Sequence, residues 1–155
     1  METEGLSEPV LADPKEKLIL LVDDDESLLD IVEHVVRREG FRTDRAVDGS
    51  EALRKAEALM PDLILLDFML PGKGGYEVVR ELQATGNGGI PVIVITGRQL
   101  DDKQIAMVRL ESNVKDFLIK PMRPAVLSAL IHGILKTRPP DVDRTARGRP
   151  MSGGF

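Results

Sequence analysis

The chain has 155 residues, 42% hydrophobic and 30% charged, with a formal net charge of −5, which suits one soluble globular domain with a sizeable core and speaks against a nucleic-acid partner held by bulk electrostatics. It contains no cysteine, so disulfides, thiol catalysis and Cys-based zinc sites are excluded. Five aromatic residues, one Tyr and four Phe, make no base-stacking platform, no apolar run approaches the ~18 residues of a membrane span, and the first residues lack the basic start and apolar centre of a secretory signal, so the cytoplasm is the expected compartment.

Residues 1–16 carry Pro9, Pro14 and several charges without periodicity and are expected to be a flexible leader. Leu18 to Val22, LILLV, is a continuous apolar run of the kind a strand buried on both faces requires. It ends in Asp23, Asp24 and Asp25. A helix follows, with Leu28, Leu29, Ile31, Val32, Val35 and Val36 at helical spacing, closed by Gly40. His34 shares its face with Asp30 and Arg38 and is expected to meet solvent. Phe41 to Val47 is poorer in apolar residues and suits an edge strand. Asp48 and Glu51 then resemble a capping box for a second helix, which Pro61 stops.

Leu63 to Leu66 is another solid apolar run, followed directly by Asp67 and a Pro/Gly turn. Gly75 opens the third helix through Val78, Val79 and Leu82. Ile90 to Ile95, IPVIVI, is a third buried strand that finishes at Thr96-Gly97. A weaker helical pattern over 100–110 ends near Asn113, a plausible left-handed cap. Phe117 to Ile119 is a short last strand, ended by Lys120-Pro121, and Pro124 is a good first residue for the last helix. His132 on that helix lines up with Ser128 and Lys136 and is expected to face solvent. From 137 to 155 the chain is rich in Pro, Gly and Arg and is expected to be disordered.

Strands alternating with helices predict βαβ units and a parallel sheet. The solid apolar runs belong in its centre and the mixed ones at its edges. The expected fold is therefore α/β, a flavodoxin-like doubly wound sheet of five strands in the order 2-1-3-4-5 with five helices. It occupies residues 17–136. In such a sheet the carboxyl ends of strands one, three, four and five share a rim, which places Asp23, Asp24, Asp67, Thr96 and Lys120 on it. Carboxylates crowded there raise one another's pKa unless a cation joins them. An all-oxygen site with few protein ligands suits Mg²⁺. Asp67 can then act as a nucleophile that accepts a phosphoryl group, with Lys120 and the Thr96 hydroxyl on its oxygens. The plainer reading of Asp67 is a residue that ends a strand before a turn; for Asp25 a helix cap is the better reading.

LILLVDDDESL, PDLILLDFMLPGKGG, VIVITG and DFLIKP, in this order, resemble the receiver domain of bacterial two-component response regulators. The resemblance implies Asp67 as phospho-acceptor, Asp24 as a direct Mg²⁺ ligand with Asp23 acting largely through water, and the main-chain carbonyl of Met69 as a further ligand. It implies Thr96 as switch hydroxyl, Lys120 as its partner on the phosphoryl group, Phe117 as aromatic switch residue, and a cis Lys120-Pro121 bond. Met69 and Arg98 stand where receivers modulate phosphoryl lifetime. Gly74 and Asn113-Val114-Lys115 depart from the family pattern and bear on the partner surface.

The function implied is a stand-alone switch that is no turnover enzyme, although it can dephosphorylate itself. A histidine kinase or phosphotransfer protein would phosphorylate it. It would signal by docking to another protein through the fourth helix, fifth strand and fifth helix, with a phosphorylation-dependent homodimer as one form, and without direct nucleic-acid or membrane contact. Two alternatives are a phosphatase of the haloacid dehalogenase type, using Asp23 and Asp25, and a docking module indifferent to phosphorylation. A flavin-binding flavodoxin-like protein shares the topology, but the chain lacks a Ser/Thr-rich phosphate loop and aromatics to cover the ring.

Overall fold

The computed structural model describes residues 10–97 and 100–140. β1 (Leu18–Val22), β2 (Arg42–Ala46), β3 (Leu63–Asp67), β4 (Val92–Thr96) and β5 (Val114–Ile119) alternate with α1 (Glu26–Arg38), α2 (Gly49–Leu59), α3 (Gly75–Ala84), α4 (Asp102–Arg109) and α5 (Pro124–Leu135). The strands form one sheet in the order β2-β1-β3-β4-β5, and every pairing is parallel. The expected topology is the observed one. Every residue of β3 and β4 is buried, as continuous apolar strands in the middle of a covered parallel sheet should be.

Side-chain alternation divides the core in two. Leu20, Val22, Ile64, Leu66, Val92 and Val94 face α2, α3 and α4 through Ala52, Ala56, Val78, Leu82 and Val108. Their neighbours Ile19, Leu21, Leu63, Leu65, Ile93 and Ile95 face α1 and α5 through Leu29, Val32, Val36, Leu127 and Ile131. At ~25 cal/mol per Å² of apolar area, these two slabs are the main favourable term of the fold.

The edges depend on charge. β2 is RTDRA, and its Arg45 guanidinium reaches Asp30 at 2.5 Å and Glu33 at 2.7 Å on α1. The Thr43 hydroxyl donates to Glu33 at 2.6 Å. That hydrogen bond, with Arg45 alongside, holds the Glu33 carboxyl below its ordinary pKa although burial opposes it. A carboxyl lowered by folding adds stability that is present above its unfolded pKa and lost as pH falls through its folded one. Glu33→Gln is therefore expected to cost about 0.5–1 kcal/mol near neutral pH and almost nothing in strong acid. Urea unfolding at the two pH values checks this.

Four local expectations need correction. Asn113 is not a left-handed cap: only Met60 and Lys136 among described non-glycine residues have positive φ. Asn113 is buried, donating to the Val79 carbonyl at 3.1 Å and accepting from Gln83 at 2.7 Å. β5 begins at Val114 rather than Phe117, because Val92 N–H bonds to the Asn113 carbonyl and draws the segment into the sheet.

His132 does not face solvent. It is 7% exposed, with Nδ1 2.7 Å from the Thr137 hydroxyl, Nε2 2.8 Å from Glu39 Oε1, and its ring against Phe41. The ordered body also runs past both expected boundaries. Pro14–Glu16 forms a 3-10 turn capped by Asp13, and Ala12 bridges to Thr137 through Ala12 N–H to the Lys136 carbonyl and Arg138 N–H to the Ala12 carbonyl, both 2.9 Å. Pairing satisfies backbone groups that a free leader and tail would leave to water. Residues 1–9 and 141–155 lie outside the described residues.

Candidate functional site

Four strand ends, those of β1, β3, β4 and β5, build the rim. β1 delivers Asp23, whose N–H bonds to the Ala46 carbonyl and whose Oδ1 accepts from Asp25 N–H at 2.9 Å. Asp25 turns the other way and caps α1, accepting from the N–H groups of Ser27 and Leu28, as the cap reading expects. β3 ends on Asp67, 5% exposed, whose Oδ1 accepts from Met69 N–H at 3.1 Å. β5 leads into Lys120, whose N–H bonds to the Thr96 carbonyl at 2.7 Å, and the Lys120-Pro121 bond is cis.

The charged groups converge. Asp23, Asp24 and Asp67 each offer an oxygen within 4.8 Å of the others. Lys120 Nζ lies 3.1 Å from Asp23 Oδ2 and 3.4 Å from Asp67 Oδ2. Burial pushes the Asp67 carboxyl above its usual pKa, and the Asp23 charge adds to this; the Met69 N–H and Lys120 oppose it without cancelling it. Burial works against the Lys120 ammonium, but the hydrogen bond to Asp23 and the charges of Asp67 and Asp23 outweigh it and raise its pKa. One lysine among three carboxylates leaves the pocket anionic, which is the charge balance a hard divalent cation would correct.

Thr96 ends β4 and is 1% exposed, and its hydroxyl has no hydrogen-bond partner among the described residues. An unpaired buried hydroxyl is costly. Beside it lies a cavity of about 380 Å³, lined by Thr96, Leu100, Ile105, Phe117, Ile119 and Lys120. Phe117 is buried. Sequence reasoning passed over its neighbour Arg109, whose guanidinium carbon lies 5.6 Å from the Phe117 ring centroid; a cation eight residues before an aromatic, across a helix-to-strand turn, is too common a pattern to single out. Met69 is half exposed at the mouth. Gly74 is the N-cap of α3. Arg98 lies outside the described residues.

Fold and rim together define an α/β domain of the flavodoxin-like type with an acidic pocket at the carboxyl edge of its sheet. The family model of the response regulator receiver domain matches residues 19–132, and the chain belongs to that family, a signalling domain of two-component systems. Among its relatives, the DNA-binding response regulator MtrA of Mycolicibacterium smegmatis is 40% identical over 124 residues, covering 80% of this chain and 53% of the relative. The transcriptional regulatory protein AfsQ1 of Streptomyces coelicolor is 37% identical over 118 residues, covering 76% of this chain and 51% of the relative. Among solved structures, the receiver domain of the sensor histidine kinase PA1611 from Pseudomonas aeruginosa superposes with a TM-score of 0.69 at 32% identity, covering 77% of this chain and 97% of that one; it holds a magnesium ion in its active-site cleft. A CheY-like receiver domain from Methanospirillum hungatei gives a TM-score of 0.70 at 28% identity, covering 77% and 93%.

The chain spans about half the length of the curated relatives it matches. That corrects one expectation. Nucleic acid was set aside on a net charge of −5, yet the matched relatives include DNA-binding response regulators. Charge summed over the receiver portion says nothing about the half of those proteins that lies outside the match. No helix among the described residues is long and apolar enough to cross a membrane.

Proposed function

We propose that the protein is a phospho-accepting switch whose covalent site is Asp67. The observation that carries this reading is the convergence of the Asp23, Asp24 and Asp67 carboxylates with the Lys120 ammonium within hydrogen-bonding reach of two of them. Asp23, Asp24, Asp67 and the main-chain carbonyl of Met69 would hold Mg²⁺. When bound, the ion neutralises charge on the phosphoryl oxygens. A carboxylate oxygen of Asp67 attacks the phosphorus of a phosphohistidine on a kinase or phosphotransfer protein. The new P–O bond forms as the P–N bond breaks, and the freed imidazole takes a proton from solvent. Lys120, already 3.4 Å from Asp67, pairs with the oxygens that arrive.

Thr96 supplies the switch. Its hydroxyl, without a hydrogen-bond partner among the described residues, gains one if it turns onto the phosphoryl group, and the cavity next to it gives Phe117 and α4 room to follow. That biases a two-state equilibrium of the α4-β5-α5 face. The aspartyl phosphate would in time hydrolyse on the protein itself. The setting would be cytoplasmic, and the names of the relatives, DNA-binding response regulators, point to DNA as the end of the output. The phosphatase alternative is disfavoured because the Asp25 carboxylate is spent on the first turn of α1.

Acetyl phosphate with Mg²⁺ tests the proposal. Intact mass should rise by one phosphoryl group, peptide mapping should place it on Asp67, and a chelator should prevent it. No gain in mass, or a gain on any other residue, refutes it.

A further inference from the structure

α5 has no charged side chain between Pro124 and Leu135. A surface helix ordinarily keeps a polar outer face, and one that is apolar all round is covered. Yet Ala125, Ala129 and Gly133 form an exposed stripe at successive turns. Beside that stripe runs an open groove of about 1010 Å³ between α5 and α1, with Ile31 and Val35 on the far wall. Ile31 is 62% exposed.

We infer that this α1–α5 face is the interface of an isologous dimer, formed with a second copy of the chain and independent of phosphorylation. Three observations select this occupant. First, the exposed polar side chains of α1 bordering the groove are Asp30, His34 and Arg38, one turn apart. A two-fold axis beside His34 sets each Asp30 opposite the partner's Arg38, so the acid–base pair is made twice. The Asp30 side chain is 70% exposed, and it touches Arg45 through Oδ1, while Oδ2 meets no partner among the described residues. Second, the same axis passes Ala129 and places Ala125 opposite Gly133 of the other α5, so small residues meet small residues and the helices approach closely. Third, an uncharged α5 brings no like charges together across the axis.

His34, Arg38 and Asp30 are the ionisable groups of α1 that line the groove; α5 offers only His132, which is turned inward onto Glu39. The apolar surface continues from the groove past Leu28 and Met122 to Lys120. A paired copy therefore narrows access to the acidic pocket from this side.

Sedimentation equilibrium of the full chain, without phosphodonor, should find a dimer. Ala129→Glu places a charge on the axis at an exposed position; it should give a monomer that keeps the far-UV circular dichroism of the folded chain and whose melting temperature, unlike that of the wild type, no longer depends on protein concentration. Arg38→Glu should weaken association at least about tenfold by setting acid against acid, and adding Asp30→Lys should recover most of that loss. Asp67→Asn should dimerise like the wild type, which keeps the outcome separate from the phosphorylation proposal. The inference fails if the wild type is monomeric, if the dimer survives Ala129→Glu, or if the double charge swap associates no better than Arg38→Glu. It also fails if removal of residues 141–155 is needed to produce a dimer, since the chain's own end would then be the occupant. A dimer seen only with beryllofluoride and Mg²⁺ would likewise overturn it and point to the α4-β5-α5 face.

Discussion

Asp67→Asn is expected to raise the unfolding temperature of the metal-free protein while abolishing its phosphorylation. The two effects share a cause. Asp67 is buried beside Asp23, and its pKa lies above the usual carboxylate range because the fold disfavours its charge. A group whose folded pKa is raised contributes most to stability below its unfolded pKa, and that contribution disappears as pH rises through the folded value. At neutral pH the ionised carboxylate is therefore a liability of the fold, and the amide removes it. Lys120 keeps Asp23 as its partner at 3.1 Å, so the substitution does not strand its charge.

A gain of about 1–2 kcal/mol, or roughly 3–8 °C in a chain of this length, is the size seen when active-site strain is relieved. The advantage should vanish in acid, where the wild-type carboxyl is protonated. Mg²⁺ should raise the wild-type transition, because a ligand that binds only the folded state stabilises it, and should move the variant's much less. Scanning calorimetry across pH, with and without the ion, measures all of this. A wild type more stable than the variant at neutral pH without metal would be the failing result.

Gly75→Ala is expected to damage stability and phosphorylation together. A Cβ at this position would lie 2.7 Å from Phe68 Cα, 3.0 Å from the Phe68 carbonyl oxygen and 3.1 Å from that of Asp67. All three are backbone atoms at the end of β3, so no side chain can step aside. The N–H of Gly75 also donates to the Phe68 carbonyl at 3.0 Å, fixing α3 against the strand that carries Asp67. Overpacking of this kind costs about 1–3 kcal/mol, and any relief must come from moving the residues that form the pocket. Gly74→Ala is the control: its Cβ meets nothing within 4 Å. Urea unfolding and acetyl phosphate labelling should both fall for position 75 and change little for position 74. Equal behaviour of the two variants would contradict the packing account.

Much of this was legible in the chain because each signal was local. LILLV, LILL and the VIVI run announce strands buried on both faces, and in a parallel sheet the residue after such a run has only the rim to occupy. Asp23, Asp67, Thr96 and Lys120 could therefore be placed before any coordinates. What escaped depends on contacts between distant segments. His132 appeared solvent-facing from helical spacing, but Glu39, 93 residues earlier, and Thr137 beyond the helix close over it. Asn113 read as a cap because its amide suits one, and the Val79 carbonyl claims that amide instead. The start of β5 was hidden because Lys115 and Asp116 interrupt the apolar pattern at a sheet edge. The bridge from Ala12 to Thr137 joins two stretches that separately resemble linkers.

That bridge sits at the amino ends of the strands, whereas the acidic pocket sits at their carboxyl ends. A five-residue strand is about 17 Å long, so the two poles are a full sheet apart. Dyes attached at Val10 and Pro140 would sit at the pole remote from the chemistry. A pair of fluorophores placed there would report the integrity of the clasp and stay blind to events at Asp67.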